Sequence, residues 1–216
     1  MAILLCCRFS IFTSPKFKSL PLPLSLHNHY QNPSTPKSNA LSYSYSYTSS
    51  SSSSSMDSPP QGYRRNVGIC LINPSKKIFS ASRLDIPSAW QMPQGGVDEG
   101  EDPRSAAIRE LREDTGVSSV EIVAEVPYWL TFDFPPEVRE KLKHLWESDW
   151  KGQVQKWFLV KFTGADEEIN LLGDGTEKAE FGKWSWMSPE QIVELAVDFK
   201  KPIYKEVMTA FSPYLQ

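Results

Sequence analysis

The chain has 216 residues, with 23 Lys and Arg against 26 Asp and Glu and a net charge of −3. Only Cys70 of the three cysteines and His144 of the three histidines lie beyond residue 56. A disulfide framework, a zinc site built from Cys and His, and a histidine-based catalytic triad therefore lack their components in that part of the chain.

The first 56 residues differ in composition from the rest. They hold 16 Ser and no Asp or Glu, and their only basic residues are Arg8, Lys16, Lys18 and Lys37. A Ser-rich, acid-poor start of this kind is typical of an organellar transit peptide, and the short apolar start "MAILLCC" makes secretion a weaker interpretation. We predict that residues 1–56 are a transit peptide with a Ser-rich disordered spacer, and that residues 57–216 form one domain. The predicted location is the chloroplast, with the mitochondrion as the alternative. Residues 57–216 carry a net charge of about −7, which argues against a general nucleic-acid coat.

Five stretches predict strands, because they are short, apolar and rich in β-branched or aromatic residues. "RNVGICLIN" and "KIFSAS" are separated by the turn "NPSK", and "VEIVAEVPYWLTFDF" is divided by Pro127 into two strands. "GQVQKWFLVKF" alternates with period two, which puts Gln155, Trp157 and Leu159 on one face and Lys156, Phe158 and Val160 on the other. "GKWSWM" completes the set.

Four helices are predicted between and after these strands. Asp102 and Pro103 form an N-cap and first position, and Gly116 ends that helix. The other three are "EVREKLKHLW", "SPEQIVELA" and "KPIYKEVMTAF". Strands mixed with helices in one domain predict an α/β fold, a sheet covered by helices on both sides.

The helix from Pro103 carries Glu110, Glu113 and Asp114 near its C-terminal end. Acids are unfavourable there, because the helix dipole is negative and like charges three and four residues apart repel. This spacing brings the three carboxylates to one patch of the helix, where a hard cation such as Mg²⁺ would offset their charge. An alternative remains open, in which Arg104, Arg109 and Arg112 pair with the acids on a solvated helix face.

The spacing from Gly95 to Val117 resembles the Nudix box, G-x5-E-x7-R-E-U-x-E-E-x-G-U, in which U is aliphatic. Gly95, Glu101, Arg109-Glu110-Leu111, Glu113, Gly116 and Val117 match, and Asp114 replaces the second Glu of the pair. Further segments resemble bacterial RNA pyrophosphohydrolases and plant dinucleoside polyphosphate hydrolases: "GYRRNVGI", "WQMPQGGVDEGE", "GQVQKWFL", "EFGKWSW" and "DFKKPIY". The resemblance covers nearly all of residues 61–211 and implies a Nudix-type α/β/α sandwich with a mixed sheet.

The resemblance also implies roles for named residues. Glu110, Glu113, Asp114 and Glu180 would hold Mg²⁺, with Mn²⁺ as a possible substitute, and Glu180 would otherwise act as the base. Arg109 and Glu101 would orient that set. The predicted substrate contacts, by phosphate pairing or base stacking, are Lys156, Arg64, Arg65, Phe132, Lys200 and Tyr204. A tyrosine usually stands at the position of Phe132 in this branch.

These features predict a Mg²⁺-dependent hydrolase of dinucleoside polyphosphates, such as diadenosine tetra- or pentaphosphate, by water attack on a phosphorus. One alternative is a pyrophosphohydrolase acting on RNA 5′ ends or guanosine tetraphosphate. Another, motivated by Asp114, is a nucleotide-binding module with impaired catalysis. The expected partner is a small nucleotide, with an RNA 5′ end possible, and neither a membrane nor an obligate protein partner is inferred.

Overall fold

The computed structural model describes residues 60–86, 88–176 and 178–216, without the side chains of residues 145 and 146. The predicted transit peptide and spacer lie outside the described residues, so that prediction stays a prediction. The strands are β1 (Tyr63–Ile72), β2 (Ile78–Arg83), β3 (Trp90–Gln91), β4 (Gln94–Gly96), β5 (Val120–Glu125), β6 (Leu130–Asp133), β7 (Gly152–Phe162) and β8 (Phe181–Met187). The α-helices are α1 (Pro103–Thr115), α2 (Pro136–Trp146), α3 (Pro189–Leu195) and α4 (Lys201–Leu215).

These eight strands form one mixed sheet. The order β3-β2-β1-β7-β5 runs across it, while β4 pairs with β1, β6 with β7 and β8 with β2. Strands β1 and β7 are parallel from Tyr63 opposite Gly152 to Ile72 opposite Lys161, and the other pairs are antiparallel. The two strands predicted around Pro127 form as β5 and β6, and each pairs with β7.

Apolar clusters lie on both faces of the sheet. On one face, Phe158 and Val160 of β7 pack with Ala106, Ala107 and Leu111 of α1. On the other face, Trp157 and Leu159 cluster with residues of α2, α3 and α4, among them Val138, Leu142, Ile192 and Val207. The predicted alternation along β7 is confirmed. Both sets of side chains are buried, because helices cover both faces, and the predicted α/β/α arrangement is confirmed as well.

Helix α1 has the ends that its sequence predicts. The side chain of Asp102 accepts a hydrogen bond from the backbone N–H of Ser105 at 3.1 Å, which satisfies one of the exposed donors of the first turn. Gly116 adopts φ +70°, and its N–H donates to the carbonyl of Arg112 at 2.8 Å. This left-handed C-cap conformation favours glycine, which has no Cβ, and the helix stops directly after its acidic patch.

Candidate active site

Two glycines of β4 bring the sheet close to α1. A Cβ built on Gly95 would lie closer than 3.0 Å to the carboxylate of Glu110, so the Glu110 side chain occupies the space that any other residue at position 95 would need. That side chain is only 3% exposed. The strand and the helix therefore hold one carboxylate of the acidic patch in a fixed, largely desolvated position.

The guanidinium of Arg109 connects the acids around this contact. Its Nη2 donates to Oε2 of Glu101 at 2.7 Å and to the carbonyl of Gly96 at 2.9 Å, and its Nε donates to Oε1 of Glu101 at 2.9 Å. Its Nη1 lies 2.9 Å from Oε1 of Glu110 and 3.3 Å from Oε2 of Glu113. Both nitrogens facing Glu101 engage a carboxylate oxygen, the bidentate geometry that makes such pairs strong.

This network shifts the pKa values of its members. The hydrogen bond from Arg109 holds the pKa of Glu101 below its usual range, since it stabilises the charged form. The pKa of Arg109 is raised, chiefly by its hydrogen bond to Glu101, against the opposing effect of burial. Both groups are therefore ionised at neutral pH, and the orienting role predicted for Arg109 and Glu101 is consistent with their contacts.

The acids differ in exposure. Asp114 is buried, while the side chain of Glu113 is 15% exposed. Of the three arginines in the alternative interpretation, Arg109 pairs with Glu110 and Glu113, whereas Arg112 pairs with Asp174 and Arg104 with Glu125. Because the interacting acids are shielded from water and share one guanidinium, they do not form a solvated helix face.

Glu180 lies just before β8, where a buried arginine contacts it. Nη1 of Arg83 is 3.5 Å from Oε2 of Glu180, and Nη2 is 2.6 Å from Oδ1 of Asp85. Arg83 is the last residue of β2 and is 7% exposed. Arg83 and Asp85 could not be identified from sequence, because no local pattern distinguishes a charged residue at a strand end that becomes buried from one that stays in water.

The two predicted arginines of β1 have different surroundings. The guanidinium of Arg64 lies against Gly96, with Nη2 2.7 Å from where a Cβ would stand, and its Nη1 is 3.4 Å from Oδ1 of Asn66. Arg64 therefore shares Gly96 with Arg109, at the edge of the acidic network. Arg65 is exposed and stacks over the ring of Trp129 at 5.2 Å.

The predicted lysines are enclosed. The side chain of Lys156 is 10% exposed, with Nζ 3.6 Å from Oε1 of Glu125. Lys200 is 5% exposed, and its Nζ donates to Oε1 of Gln91 at 3.3 Å. Both lysines are therefore largely buried beside protein partners, and their contact with substrate phosphates stays a prediction.

The two predicted aromatic contacts, Tyr204 and Phe132, are both buried. Tyr204 is 1% exposed, its ring packs edge-on against Trp157 at 5.7 Å, and its hydroxyl accepts a hydrogen bond from the N–H of Met92 at 3.2 Å. Burial raises its pKa. Tyr204 is therefore packed as a core residue, and its stacking on a base stays a prediction.

Phe132 is buried as well, and one of the residues that it contacts lines a cleft. It packs against Phe134 and, at 5.9 Å between ring centroids, against Phe199. Phe199 lines a cleft of about 460 Å³ together with Ile86, Ser88, Ala89, Pro135, Glu137 and residues 195–198. Phe199 is thus the aromatic residue that faces this cleft, and sequence reasoning missed it.

The donor set is compatible with Mg²⁺ without forming a complete cage. Among the described residues, no group of three or more His, Cys, Asp or Glu side chains is gathered closely enough to hold a metal alone. Mg²⁺ is usually bound through one or two carboxylates, with water and substrate phosphates completing its shell. The carboxylate of Glu110, fixed against Gly95, and the neighbouring Glu113 and Asp114 supply oxygen donors of that kind. The metal roles of these residues and of Glu180 stay predictions.

Comparison with known proteins agrees with the motif and its geometry. The NUDIX domain profile matches residues 62–209. The chain belongs to the Nudix family. It is therefore a hydrolase, and Nudix hydrolases generally use divalent metal ions such as Mg²⁺ and act on nucleotide substrates.

Relatives of this Nudix hydrolase include plant and bacterial proteins. It is 76% identical over 161 residues to Nudix hydrolase 26, chloroplastic, of Arabidopsis thaliana, covering 74% of each chain. It is 50% identical over 156 residues to an RNA pyrophosphohydrolase of Cereibacter sphaeroides, covering 71% of this chain and 93% of the relative.

Among solved structures, the dihydroneopterin triphosphate pyrophosphohydrolase of E. coli superposes with a TM-score of 0.53 at 17% identity, over 67% of this chain and 95% of that one. At this identity the likeness supports the fold alone. In the part of the chain that the structure describes, none of the helices is long and apolar enough to cross a membrane.

Proposed function

We propose that this Nudix hydrolase cleaves a phosphoanhydride bond of dinucleoside polyphosphates, with diadenosine tetra- or pentaphosphate as its substrates and Mg²⁺ as its metal. The observation that carries the proposal is the Arg109 network, in which one guanidinium ties Glu101, Glu110 and Glu113 together beside Gly95 and Gly96. Phosphoryl transfer needs chiefly positioning and charge stabilisation, and a rigid set of charged groups supplies both.

The charged residues in and around α1 have different proposed roles. Glu110, Glu113 and Asp114 would bind Mg²⁺ together with Glu180, and Mn²⁺ would be a substitute. When bound, the ion neutralises charge on the phosphate oxygens and lowers the pKa of its water. Arg109 and Glu101 hold the carboxylates in place through their short contacts. If Glu180 does not bind the metal, it would instead accept the proton of the attacking water. Arg83, at the end of β2, contacts Glu180 and holds it there.

The substrate would lie between two features. Arg64, against Gly96, offers a guanidinium to a phosphate, since its planar donors suit phosphate oxygens. The cleft beside Phe199 would receive a base by stacking, which is sequence-tolerant because every base has an aromatic face. The loop lining the cleft starts after Arg83, whose guanidinium lies 3.5 Å from Glu180.

A second candidate is pyrophosphate removal from RNA 5′ ends. It is favoured by the 50% identity to a relative named RNA pyrophosphohydrolase, which the chain matches over 93% of that protein. Guanosine tetraphosphate is a further alternative within the same chemistry. Loss of catalysis, motivated by Asp114, is disfavoured, because the chain belongs to a family of hydrolases.

Steady-state assays with diadenosine tetraphosphate, diadenosine pentaphosphate, 5′-triphosphorylated RNA and guanosine tetraphosphate test the proposal. Reactions in ¹⁸O-labelled water identify the attacked phosphorus by mass spectrometry of the products. We expect the highest kcat/KM with a dinucleotide and a loss of turnover in Glu113→Gln. Arg104→Gln is the matched control, since Arg104 is on the same helix, is 51% exposed and pairs with Glu125 outside the network. A higher kcat/KM with RNA would favour the second candidate, and binding without turnover at saturating Mg²⁺ would favour the impaired module.

We also propose that the protein acts in the chloroplast. The acid-free, Ser-rich first 56 residues and the two Arabidopsis relatives named chloroplastic, at 76% and 64% identity, support this location over the mitochondrion. A fluorescent fusion of the full chain should colocalise with chlorophyll, and a cytosolic or mitochondrial signal would contradict the proposal.

A further inference from the structure

Residues 168–174, hereafter the strap, run across the C-terminal end of α1 and contact it repeatedly. The N–H of Asn170 donates to the carbonyl of Thr115 at 2.8 Å. Oε1 of Glu168 accepts from the N–H groups of Ser118 at 2.7 Å and Ser119 at 2.9 Å, directly after the helix. These contacts connect segments about 50 residues apart in sequence.

The strap satisfies groups that the helix leaves without partners. The last four carbonyls of a helix have no intrahelical donor. In α1 the carbonyl of Arg112 accepts a hydrogen bond from the N–H of Gly116, and the carbonyl of Thr115 accepts one from the N–H of Asn170 in the strap. Nε of Arg112 in turn donates to Oδ2 of Asp174 at 3.1 Å, which ties the far end of the strap to the same helical turn.

Gly173 makes the closest approach to the acidic patch. It is buried at φ +67°, and a Cβ built on it would lie closer than 3.0 Å to the carbonyl oxygen of Glu113. The obstacle is backbone, so no flexible side chain could move aside. Only glycine lets the strap lie against the peptide unit that carries Glu113.

We infer that Gly173 and Asp174 are positioning residues, which fix the backbone at Glu113 and thereby set the metal affinity of the acidic end of α1. This inference rests on the proposed function. Mg²⁺ demands near-ideal octahedral geometry at about 2.0–2.1 Å, so a carboxylate whose backbone shifts by a few tenths of an ångström binds it less well. The strap, which lies outside the helix, fixes the position of the Glu113 backbone.

The chain offers a matched pair of glycines for the test. Gly175 also has a positive φ, +83°, but a Cβ built on it meets nothing within 4 Å. Gly173→Ala and Gly175→Ala therefore both force a side chain into the left-handed region, and only the first pushes on Glu113. Any effect of Gly173→Ala beyond that of Gly175→Ala belongs to the contact with α1.

Three measurements compare the two variants with the parent. Mn²⁺ binding without nucleotide is followed by electron paramagnetic resonance. Amide hydrogen exchange reports how often the helix end opens at residues 112–116. Steady-state kinetics give kcat, KM and the Mg²⁺ concentration at half-maximal rate, hereafter the Mg²⁺ midpoint. We expect Gly173→Ala to bind Mn²⁺ at least about tenfold more weakly, because replacing a residue that holds a metal ligand in position typically lowers metal affinity by that much. Faster exchange at the helix end and a raised Mg²⁺ midpoint should accompany this loss, with KM at saturating Mg²⁺ unchanged, and Gly175→Ala should match the parent.

If Gly173→Ala folds and equals Gly175→Ala in Mn²⁺ affinity and exchange, the inference is overturned. If it does not fold, Asp174→Asn decides, because this change weakens the tie to Arg112 without adding an atom at the helix. Weaker Mn²⁺ binding and faster exchange in Asp174→Asn support the inference, and parental values overturn it. Absence of hydrolysis by the parent on every nucleotide tested would instead refute the proposed function, while the binding and exchange comparison would still stand.

Discussion

Replacing Arg109 by Met should destabilise the protein well beyond the loss of a surface ion pair. Met retains an apolar stem but removes the guanidinium that contacts Glu101, Glu110, Glu113 and the carbonyl of Gly96. Removing one partner of a fully buried pair costs about 3–5 kcal/mol. Arg109 is 26% exposed and Glu101 18%, so we discount this for solvent to about 2–4 kcal/mol.

Urea denaturation followed by tryptophan fluorescence measures this cost, with EDTA present so that bound metal does not contribute. The midpoint temperature should fall as well, by about 2–4 °C for each kcal/mol in a domain of this size. Arg104→Met is the matched control on the same helix. The Arg104 side chain is 51% exposed and 3.7 Å from Glu125, so its removal should cost about 0–1 kcal/mol.

A double variant tests whether the network acts as a unit. Glu101→Gln removes the charge that faces Arg109, so combining it with Arg109→Met should cost less than the sum of the two single changes, by about 0.5–3 kcal/mol. Equal stabilities of Arg109→Met and Arg104→Met, or strict additivity in the double variant, would refute the argument that Arg109 organises the buried acids.

Four further outcomes are expected. Glu113→Gln should lower kcat by about 10²-fold or more at an unchanged circular dichroism spectrum, and parental turnover would exclude a catalytic role. Gly95→Ala should cost about 1–3 kcal/mol in urea denaturation, because the new methyl group overlaps the Glu110 carboxylate, and an unchanged midpoint would contradict that contact. The pKa of Glu101 is lowered in the folded state, so its stabilisation is fully present above the ordinary value of about 4.3 and is lost as pH falls through the folded pKa. The difference in unfolding free energy between parent and Glu101→Gln should therefore disappear on acidification, and a difference that grows would give the opposite sign. Tyr204→Phe should lower the free energy of unfolding by about 1 kcal/mol, because the hydrogen bond from Met92 is lost, and should leave KM unchanged. A raised KM would indicate that Tyr204 contacts the substrate.

Local signals predicted the parts of the fold that local chemistry controls. Asp102, Pro103 and Gly116 mark both ends of α1, because capping depends on a few adjacent residues. The alternation in β7 assigned its two faces correctly, because side chains alternate in any strand. Strands β3 and β4 were missed, since two and three residues are too short for a period to show.

Burial of the candidate site residues is a property that a linear pattern does not report. Lys156, Lys200 and Tyr204 carry groups that suit a nucleotide, but the structure encloses each of them. Arg83 and Phe199 were overlooked, although Arg83 contacts Glu180 and Phe199 faces the cleft. Whether a polar or aromatic side chain is accessible depends on residues that are distant in sequence.

The sequence by itself determined the spacing of Glu110, Glu113 and Asp114 on one helix, the ends of that helix and the family to which they belong. Helical periodicity and capping are short-range, so a window of about 20 residues contained this information. Tertiary structure decided which charges are desolvated and what holds them, through Gly95 under Glu110, Arg109 between the acids and Gly173 against the backbone of Glu113. The reason is that desolvation and close packing arise only where segments distant in sequence meet, and those meetings set the strength of each charge interaction.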